Sequence, residues 1–420
     1  MLRQFIVDNQ HADVAQLALH RGRYPMLSDS DFRYGLQQIE GRQRTREKLP
    51  TFATIDGWLY PPRLNLEQCS SERTARFKAS LLSSVHPFTL IDGTGGYGVD
   101  TFFMSEQAQE THYFEQNTDL AAIAEHNFRL AGKEIHCHAE PFDVSQLESL
   151  LVQRSLLFQR SGLSASAVLY LDPARRDSHG GKVFRLEDCT PNVTDSVRYV
   201  QQNCQNIRVL LKLSPMLDFH QAVAQLGGSW DIYVVSVNNE VKELLLDTPQ
   251  PPLRGGDEKM GEIRIIHAVV LGEEQREYCF TPEEEQAAQV SFIEPSGPLS
   301  LSPAVYLYEP DAAILKAGAF RSVGARYKLM KAAPNTHLYF ATQIGENRNQ
   351  LPGRWWQVVG VYTRAKEVQR ALTRANVLTR NYVLPADALR GQLRLKDGGD
   401  DYIVGCRIAD KPLLLHCQRI

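Results

Sequence analysis

Apolar and polar positions along the chain follow two periods, and the change from one to the other marks its parts. Up to about residue 84 the apolar residues Phe5, Ile6, Val14, Leu17 and Leu19 recur at helical spacing. A second helix is expected over 30–39, and Ser70 or Ser71 is placed to cap a helix through Lys78. From Phe88 onward short apolar runs alternate with helical stretches. Strands are expected at 88–91, 111–115, 135–138, 167–171, 208–213, 232–237 and 262–271, with a helix over 120–130. This rhythm predicts an α/β fold, a seven-stranded Rossmann-like sheet, parallel and finished by a late hairpin-like pair. After residue 272 the pattern shortens. An acidic stretch holds Glu273, Glu274, Glu277, Glu283, Glu284 and Glu285, and Pro295, Gly297, Pro298 and Pro303 mark turns. Strands follow at 305–308, 338–341, 355–360 and 402–405, with helices from Asp311 to Leu315 and over 365–378. The expected domains are 1–84 (helical), 85–272 (the main sheet), 273–330 (a small α/β module) and 331–420 (a second α+β module).

Composition narrows the class. With 46 Lys and Arg against 49 Asp and Glu, the net charge is -3, so the chain is not a globally basic nucleic-acid binder, although local patches remain possible. The seven cysteines (Cys69, Cys137, Cys189, Cys204, Cys279, Cys406, Cys417) form no C-x-x-C pair. That argues for a reducing cytoplasm and against both a disulfide framework and a zinc site. No run is apolar and long enough to span a bilayer, and the first residues do not read as a signal peptide, so a cytoplasmic location is expected.

The candidate chemistry begins at Asp92-Gly-Thr-Gly-Gly-Tyr-Gly98, directly after the first strand. A strand, a glycine turn and a helix start together make a nucleotide site, since glycines let a ligand approach the backbone closely. Gly93, Gly95 and Gly98 fit G-x-G-x-x-G, which alone is compatible with a dinucleotide. Asp92, however, would face a pyrophosphate with like charge. S-adenosylmethionine (SAM) carries a sulfonium and an ammonium instead, for which an acid is an asset. Glu115, ending the second strand, can hold ribose hydroxyls of either ligand. Beyond the third strand, Asp143 or Glu140 is placed to meet an adenine amino group, and the sequence leaves both open. His136 and His138 share a strand face but have no third metal ligand nearby, so they read as ordinary strand histidines.

The fourth strand runs into Asp172-Pro-Ala-Arg-Arg-Asp177. In an open α/β sheet ligands bind at carboxyl ends of strands near the switch in strand order, which puts this turn opposite a ligand held by strands one and two. Pro173 fixes the backbone there, and Asp172 can point at an incoming amine or ring nitrogen. Lys212, ending the fifth strand, is placed either to contact a substrate or to reach solvent.

These motifs resemble the class I SAM-dependent methyltransferases, and more narrowly a bacterial family with ferredoxin-like and THUMP-like modules at the C-terminal end. The matching stretches are Asp92 through Thr101, Phe114-Glu-Gln116, Asp172 through Asp177 and Lys212-Leu-Ser-Pro215, extended by Glu67-Gln-Cys-Ser-Ser-Glu72 and Tyr308-Glu-Pro-Asp311. The resemblance implies that Asp92, Gly93, Thr94, Gly95, Gly96, Gly98, Asp100, Glu115, Gln116 and Asp143 line a SAM pocket. It implies that Asp172, Pro173, Arg175 and Arg176 border the acceptor. Because THUMP-type modules bind RNA elsewhere, it also implies an RNA substrate (tRNA or rRNA) and methylation of a base nitrogen. Two departures matter. Amino-group methyltransferases typically show D/N-P-P and an aromatic where this chain has Ala174 and Arg175, though an arginine can also stack on a base. The enzymes that methylate uracil at carbon five need a cysteine where this chain reads Lys212-Leu-Ser-Pro215, which favours a nitrogen or oxygen acceptor.

Basic residues gather late in the chain, among them Arg364, Lys366, Arg370, Arg374, Arg380, Arg390, Arg394 and Lys396. On the expected 365–378 helix, Arg370 and Arg374 would share one face and could grip RNA, or simply keep the helix soluble. The charged run 41–48 admits the same two readings, a solvated helix face or a phosphate-contacting patch. A protein or small-molecule acceptor stays open beside RNA, and a non-catalytic SAM-binding adaptor is disfavoured by the intact loop and Asp-Pro turn.

Overall fold

The computed structural model describes residues 1–83, 87–147, 149–150, 166–173, 186, 189, 191–204, 207–248, 261–293, 305–345 and 347–420. They form two compact units, one comprising Met1–Leu213, Leu217–Ser229 and Leu246–Glu262, the other Ser214–Met216, Trp230–Leu245 and Ile263–Ile420.

The first unit opens with the helices Leu2–Asp8, Val14–Leu19, Asp29–Lys48, Pro50–Thr54, Arg63–Gln68 and Glu72–Leu81. Phe5, Leu17, Leu27, Phe32 and Ile39 form a core shared by the first three of these helices. The helix expected over 30–39 runs on through the charged stretch to Lys48. It can do so because Gly41 and Thr45 face inward while Arg44, Arg46 and Glu47 face solvent. At Gly41 a side chain would collide with Tyr60, 2.3 Å from an added Cβ. Ser71, rather than Ser70, caps the Glu72–Leu81 helix by accepting the Thr74 N–H.

Five parallel strands follow: β1 (Phe88–Asp92), β2 (Glu110–Phe114), β3 (His136–His138), β4 (Ser166–Leu171) and β5 (Ile207–Leu213). They lie in the order β3-β2-β1-β4-β5. β1 is buried along its whole length, Thr89 and Asp92 included, as in a parallel strand covered on both faces. Strand order reverses between β1 and β4, so the carboxyl ends of these two strands flank the crevice where such sheets bind ligands. On β5, Arg208 forms a buried bidentate pair with Asp247, at 2.7 and 2.5 Å.

The second unit carries most of β6 (Ser229–Val237) and β7 (Glu240–Asp247), with β8 (Glu262–Leu271) and β9 (Gln275–Phe280), in the order β7-β6-β8-β9. β6 and β7 are joined by Asn238 and Asn239, both at positive φ (54° and 60°), the conformation of a two-residue hairpin turn. The expectation of seven strands missed β7 and β9, which raise the count to nine. Asn-Asn is a weaker hairpin signal than Asn-Gly, and β9 lies inside the acidic stretch that begins at Glu273.

A second, seven-stranded sheet contains β10 (Val305–Pro310), β11 (Met330–Ala333), β12 (Thr336–Ala341), β13 (Gly353–Tyr362), β14 (Asn376–Arg380), β15 (Asp401–Ile408) and β16 (Lys411–Arg419). Its order is β11-β12-β10-β13-β16-β15-β14. A division at 330/331 would pass through β11. The helix expected over 365–378 is corrected: it spans Ala365–Ala371 and ends where Leu372 turns extended. Asn376-Val-Leu-Thr-Arg380 instead pairs in parallel with β15, so Arg370 is helical while Arg374 is not, and the two share no helix face. Tyr308-Glu-Pro-Asp311 is a structural knot. The Tyr308 hydroxyl donates to the Pro352 carbonyl (2.6 Å), Glu309 is buried against Arg354 and Arg380, and Asp311 accepts the Ser236 hydroxyl (2.5 Å) and the Ala313 N–H (2.9 Å). Among the described residues no helix is long and apolar enough to cross a membrane.

Candidate active site

The glycine turn is shaped by what presses on it. A Cβ on Gly95 would lie 2.0 Å from the Tyr113 ring, and Gly98 sits at φ 80°, where it starts the Val99–Met104 helix. The Gly95 N–H donates to the Phe114 carbonyl and the Gly93 N–H to the Tyr170 carbonyl, which seats the loop across the ends of β2 and β4. Glu115 completes the seat. One carboxylate oxygen accepts from the Gly96 N–H (2.9 Å) and the other from the Asn117 N–H (2.7 Å). Each oxygen retains lone-pair capacity for a hydroxyl.

Asp92 lies beneath this loop rather than on it. It is buried, and its carboxylate accepts the Thr101 hydroxyl (2.5 Å) and the Thr94 N–H (2.9 Å). Burial pushes its pKa up to about 7; the Thr101 and Thr94 hydrogen bonds oppose that rise, and the charges of Asp100 and Asp172 add to it. Asp100, one turn into the helix, is held by an equally buried set. Lys78 Nζ stands 3.2 Å from Oδ1, and the Ser70 and Tyr170 hydroxyls donate to Oδ2 at 2.8 and 2.7 Å. Burial raises the Asp100 pKa, but Lys78, Lys212, Tyr170 and Ser70 outweigh it and hold the carboxyl below its ordinary value.

Asp172 begins where β4 ends. Its N–H donates to the Thr94 hydroxyl (2.6 Å), and its carboxylate pairs with Lys212 from the end of β5. The Asp172 side chain remains 37% exposed and Lys212 13%, so the acid faces outward with a cation at its flank. Pro173 is buried behind it. The structure thus gathers Asp92, Gly93, Thr94, Gly95, Gly96, Gly98, Asp100, Glu115, Asp172 and Lys212 at the ends of β1, β2, β4 and β5. Gln116 and Asp143 are exposed. The Asp143 carboxylate accepts the Ser145 N–H, which keeps its pKa low, and Gln146 links this turn to Glu140. Arg175 and Arg176 lie outside the described residues. Arg370 and Arg374 belong to the second unit and are both exposed.

Several contributors were not singled out from sequence. Lys78 is fully buried in a helix that reads as amphipathic, and its partner is 22 residues ahead. Phe142 packs against Phe114 at 5.3 Å between ring centres and would touch a Cβ on Gly93, so it walls the loop beside Asp143. Trp58 and Tyr97 hydrogen-bond at 2.6 Å and tie the N-terminal helices to the loop. His136 and His138 are joined by His112, whose Nδ1 is 3.2 Å from His138 Nε2 and whose Nε2 is 3.2 Å from Glu110. Burial pushes His112 down to about 4.

The donor set fits SAM. The strand ends offer the partly exposed carboxylates of Glu115 and Asp172, and the cation at this edge, Lys212, is paired with Asp172. A pyrophosphate would meet like charge, whereas a sulfonium and an ammonium meet acids. Comparisons with known proteins agree. A ferredoxin-like domain model matches residues 306–347 and a THUMP-domain-like model matches 353–419. An uncharacterized S-adenosylmethionine-dependent methyltransferase of Mycobacterium tuberculosis, found in strains CDC 1551 and H37Rv, is 24% identical over 363 residues, 84% of this chain and 86% of the relative. The crystal structure of a provisionally assigned methyltransferase from Porphyromonas gingivalis W83 superimposes with a TM-score of 0.81 at 27% identity, covering 100% of this chain and 97% of that one. The sheet and its loop are those of a class I methyltransferase. The chain is a SAM-dependent methyltransferase that carries ferredoxin-like and THUMP-like domains at its C-terminal end, and S-adenosylmethionine is its cofactor.

Proposed function

We propose that this enzyme methylates a base nitrogen in RNA. The observation that carries the reading is the charge of the THUMP-like domain. Residues 353–419 hold twelve Lys and Arg against six Asp and Glu, in a chain whose overall charge is negative. Arg364, Lys366, Arg370, Arg374, Arg394 and Lys396 are exposed, and none of them forms an ion pair with a described residue. Arg374 and Lys396 are backbone-bridged neighbours, so two of these cations sit side by side. Exposed, unpaired cations on one domain are what a phosphate backbone binds.

SAM supplies an electrophilic methyl group on a good leaving group, which leaves the protein chiefly the task of positioning. Alignment of an acceptor lone pair supplies roughly 7–11 kcal/mol in favourable cases. Asp172 accepts a hydrogen bond from the acceptor N–H, orients its lone pair, and takes the proton released as the N–C bond forms. Lys212 pairs with the Asp172 carboxylate and holds it in place. Thr94 locks the Asp172 backbone to the cofactor loop. A nitrogen acceptor needs no nucleophilic cysteine, in keeping with the Lys212-Leu-Ser-Pro215 sequence. Glu115 and the loop around Gly96 would hold the ribose, and the Glu140–Asp143 turn would flank the adenine.

The test compares the modified nucleosides of tRNA and rRNA from cells with and without the gene. The proposal expects one methylated nucleoside to vanish and to return with the wild-type gene but not with Asp172→Ala. Identical nucleoside profiles in both cells would move the acceptor to a protein or small molecule.

A further inference from the structure

The sequence contains no close cysteine pair, yet the fold assembles a metal-ligand set across two strands of the second unit. His267 on β8 is the register partner of Cys279 on β9, and Glu277 lies two residues before Cys279 on the same strand face. One donor atom from each of the three lies within 4.8 Å of the other two. Glu277 and Cys279 are exposed, while Tyr278 and Phe280 between and beyond them are buried, so β9 turns its two ligands outward together. His267 Nδ1 already bonds the Glu277 carboxylate, and its ring is stacked on Tyr233 at 4.3 Å and 11°, which fixes its plane. Cys279 is a free thiol. Arg326, the nearby cation, donates to the Cys279 carbonyl (2.9 Å) and pairs with Glu284.

We infer that His267, Glu277 and Cys279 form a binding site for a borderline divalent transition-metal ion of the zinc class, separate from the methyl-transfer site. The donors choose the ion. Thiolate and imidazole favour zinc or cobalt over magnesium or calcium, which take oxygen. With bonds of about 2.0–2.3 Å to one ion, the His267–Glu277 contact has to open slightly while Cys279 Sγ draws in, a movement of about 1 Å within side-chain rotation. Three protein ligands leave a fourth position for water or an incoming group. On binding, the Cys279 S–H bond is replaced by a metal–sulfur bond and the proton goes to solvent, as does any proton shared by His267 and Glu277; no electrons change hands. Because β8 and β9 are consecutive, the ion acts as a clasp on their hairpin.

Cobalt(II) is the probe, added to the full-length, metal-stripped, reduced protein. The inference expects one equivalent to bind with a near-ultraviolet thiolate-to-cobalt charge-transfer band and the intense visible bands of a tetrahedral site, both abolished by zinc. Cys279→Ser removes the charge-transfer band, and His267→Gln and Glu277→Gln each weaken cobalt binding ten-fold or more. Cooperative thermal unfolding of each variant establishes that it is folded, and zinc raises the Tm of the wild type but not of Cys279→Ser. Absence of the band, or its persistence in Cys279→Ser, would overturn the inference. These readouts involve neither SAM nor RNA, so they stand or fall apart from the methyl-transfer reading.

Discussion

The Thr94 hydroxyl accepts the backbone N–H of Asp172 at 2.6 Å, joining the glycine loop after β1 to the Asp-Pro turn after β4. With the Gly93 N–H to Tyr170 carbonyl bond, it ties the proposed cofactor loop to the proposed acceptor turn.

Thr94→Val keeps the shape and removes that bond. Stability should fall by about 1 kcal/mol, the net worth of such a bond. Turnover should fall about ten- to a hundred-fold, since small misplacements of reacting groups are costly. Thr94→Ser should restore most of it. A turnover assay in which Thr94→Val matches the wild type would show that the tie does not position Asp172.

Lys78 and Asp100 test the buried support under the loop. Lys78→Met leaves a buried carboxylate without its cation and should cost about 3–5 kcal/mol in denaturant unfolding. Adding Asp100→Asn, which keeps an acceptor for Ser70 and Tyr170, should recover much of that loss. A single variant within 1 kcal/mol of wild type would mean that the pair contributes little.

Asp92 predicts a pH dependence of stability. Its folded pKa of about 7 lies above the ordinary 3.8, so the folded state binds the proton more tightly. The associated stabilisation is fully present below about pH 4 and is lost as pH rises through about 7. Asp92→Asn cannot ionise, so its stability relative to wild type should climb between pH 5 and 8. A constant difference across that range, measured by thermal unfolding, would place the Asp92 pKa elsewhere.

Arg374 and Lys396 test the RNA surface. Replacing both with Glu should weaken RNA binding and lower the slope of log affinity against log salt by about two, one per lost phosphate contact. SAM binding should not change. An unaltered salt slope would take these residues out of the interface.

What could be read in the sequence was local. The apolar run ending at Asp92, the glycines after it and the Asp-Pro turn at Asp172 announce a strand, a ligand loop and a second strand end within a few residues each. The Lys212 pairing was invisible because it spans 40 residues, and Lys78 reads as a surface lysine until Asp100 closes over it. The helix expected to reach residue 378 failed because tertiary pairing with β15 outweighed a helical pattern that Thr373 and Val377 already weaken. Asp100 shows the same limit at the site itself: its place in the motif suggests a ligand contact, while its carboxylate is engaged by three side chains from other elements. His267 and Cys279 stand 12 residues apart, and only strand register makes them neighbours.

The most direct test of the central claim is transfer of labelled methyl from SAM into RNA purified from cells lacking this protein, with wild-type enzyme and Asp172→Ala side by side. The account predicts label in RNA with the wild type, its loss in the variant, and unchanged SAM binding by both. Label appearing equally with Asp172→Ala, or no label in RNA from a wild-type protein that binds SAM, would contradict it.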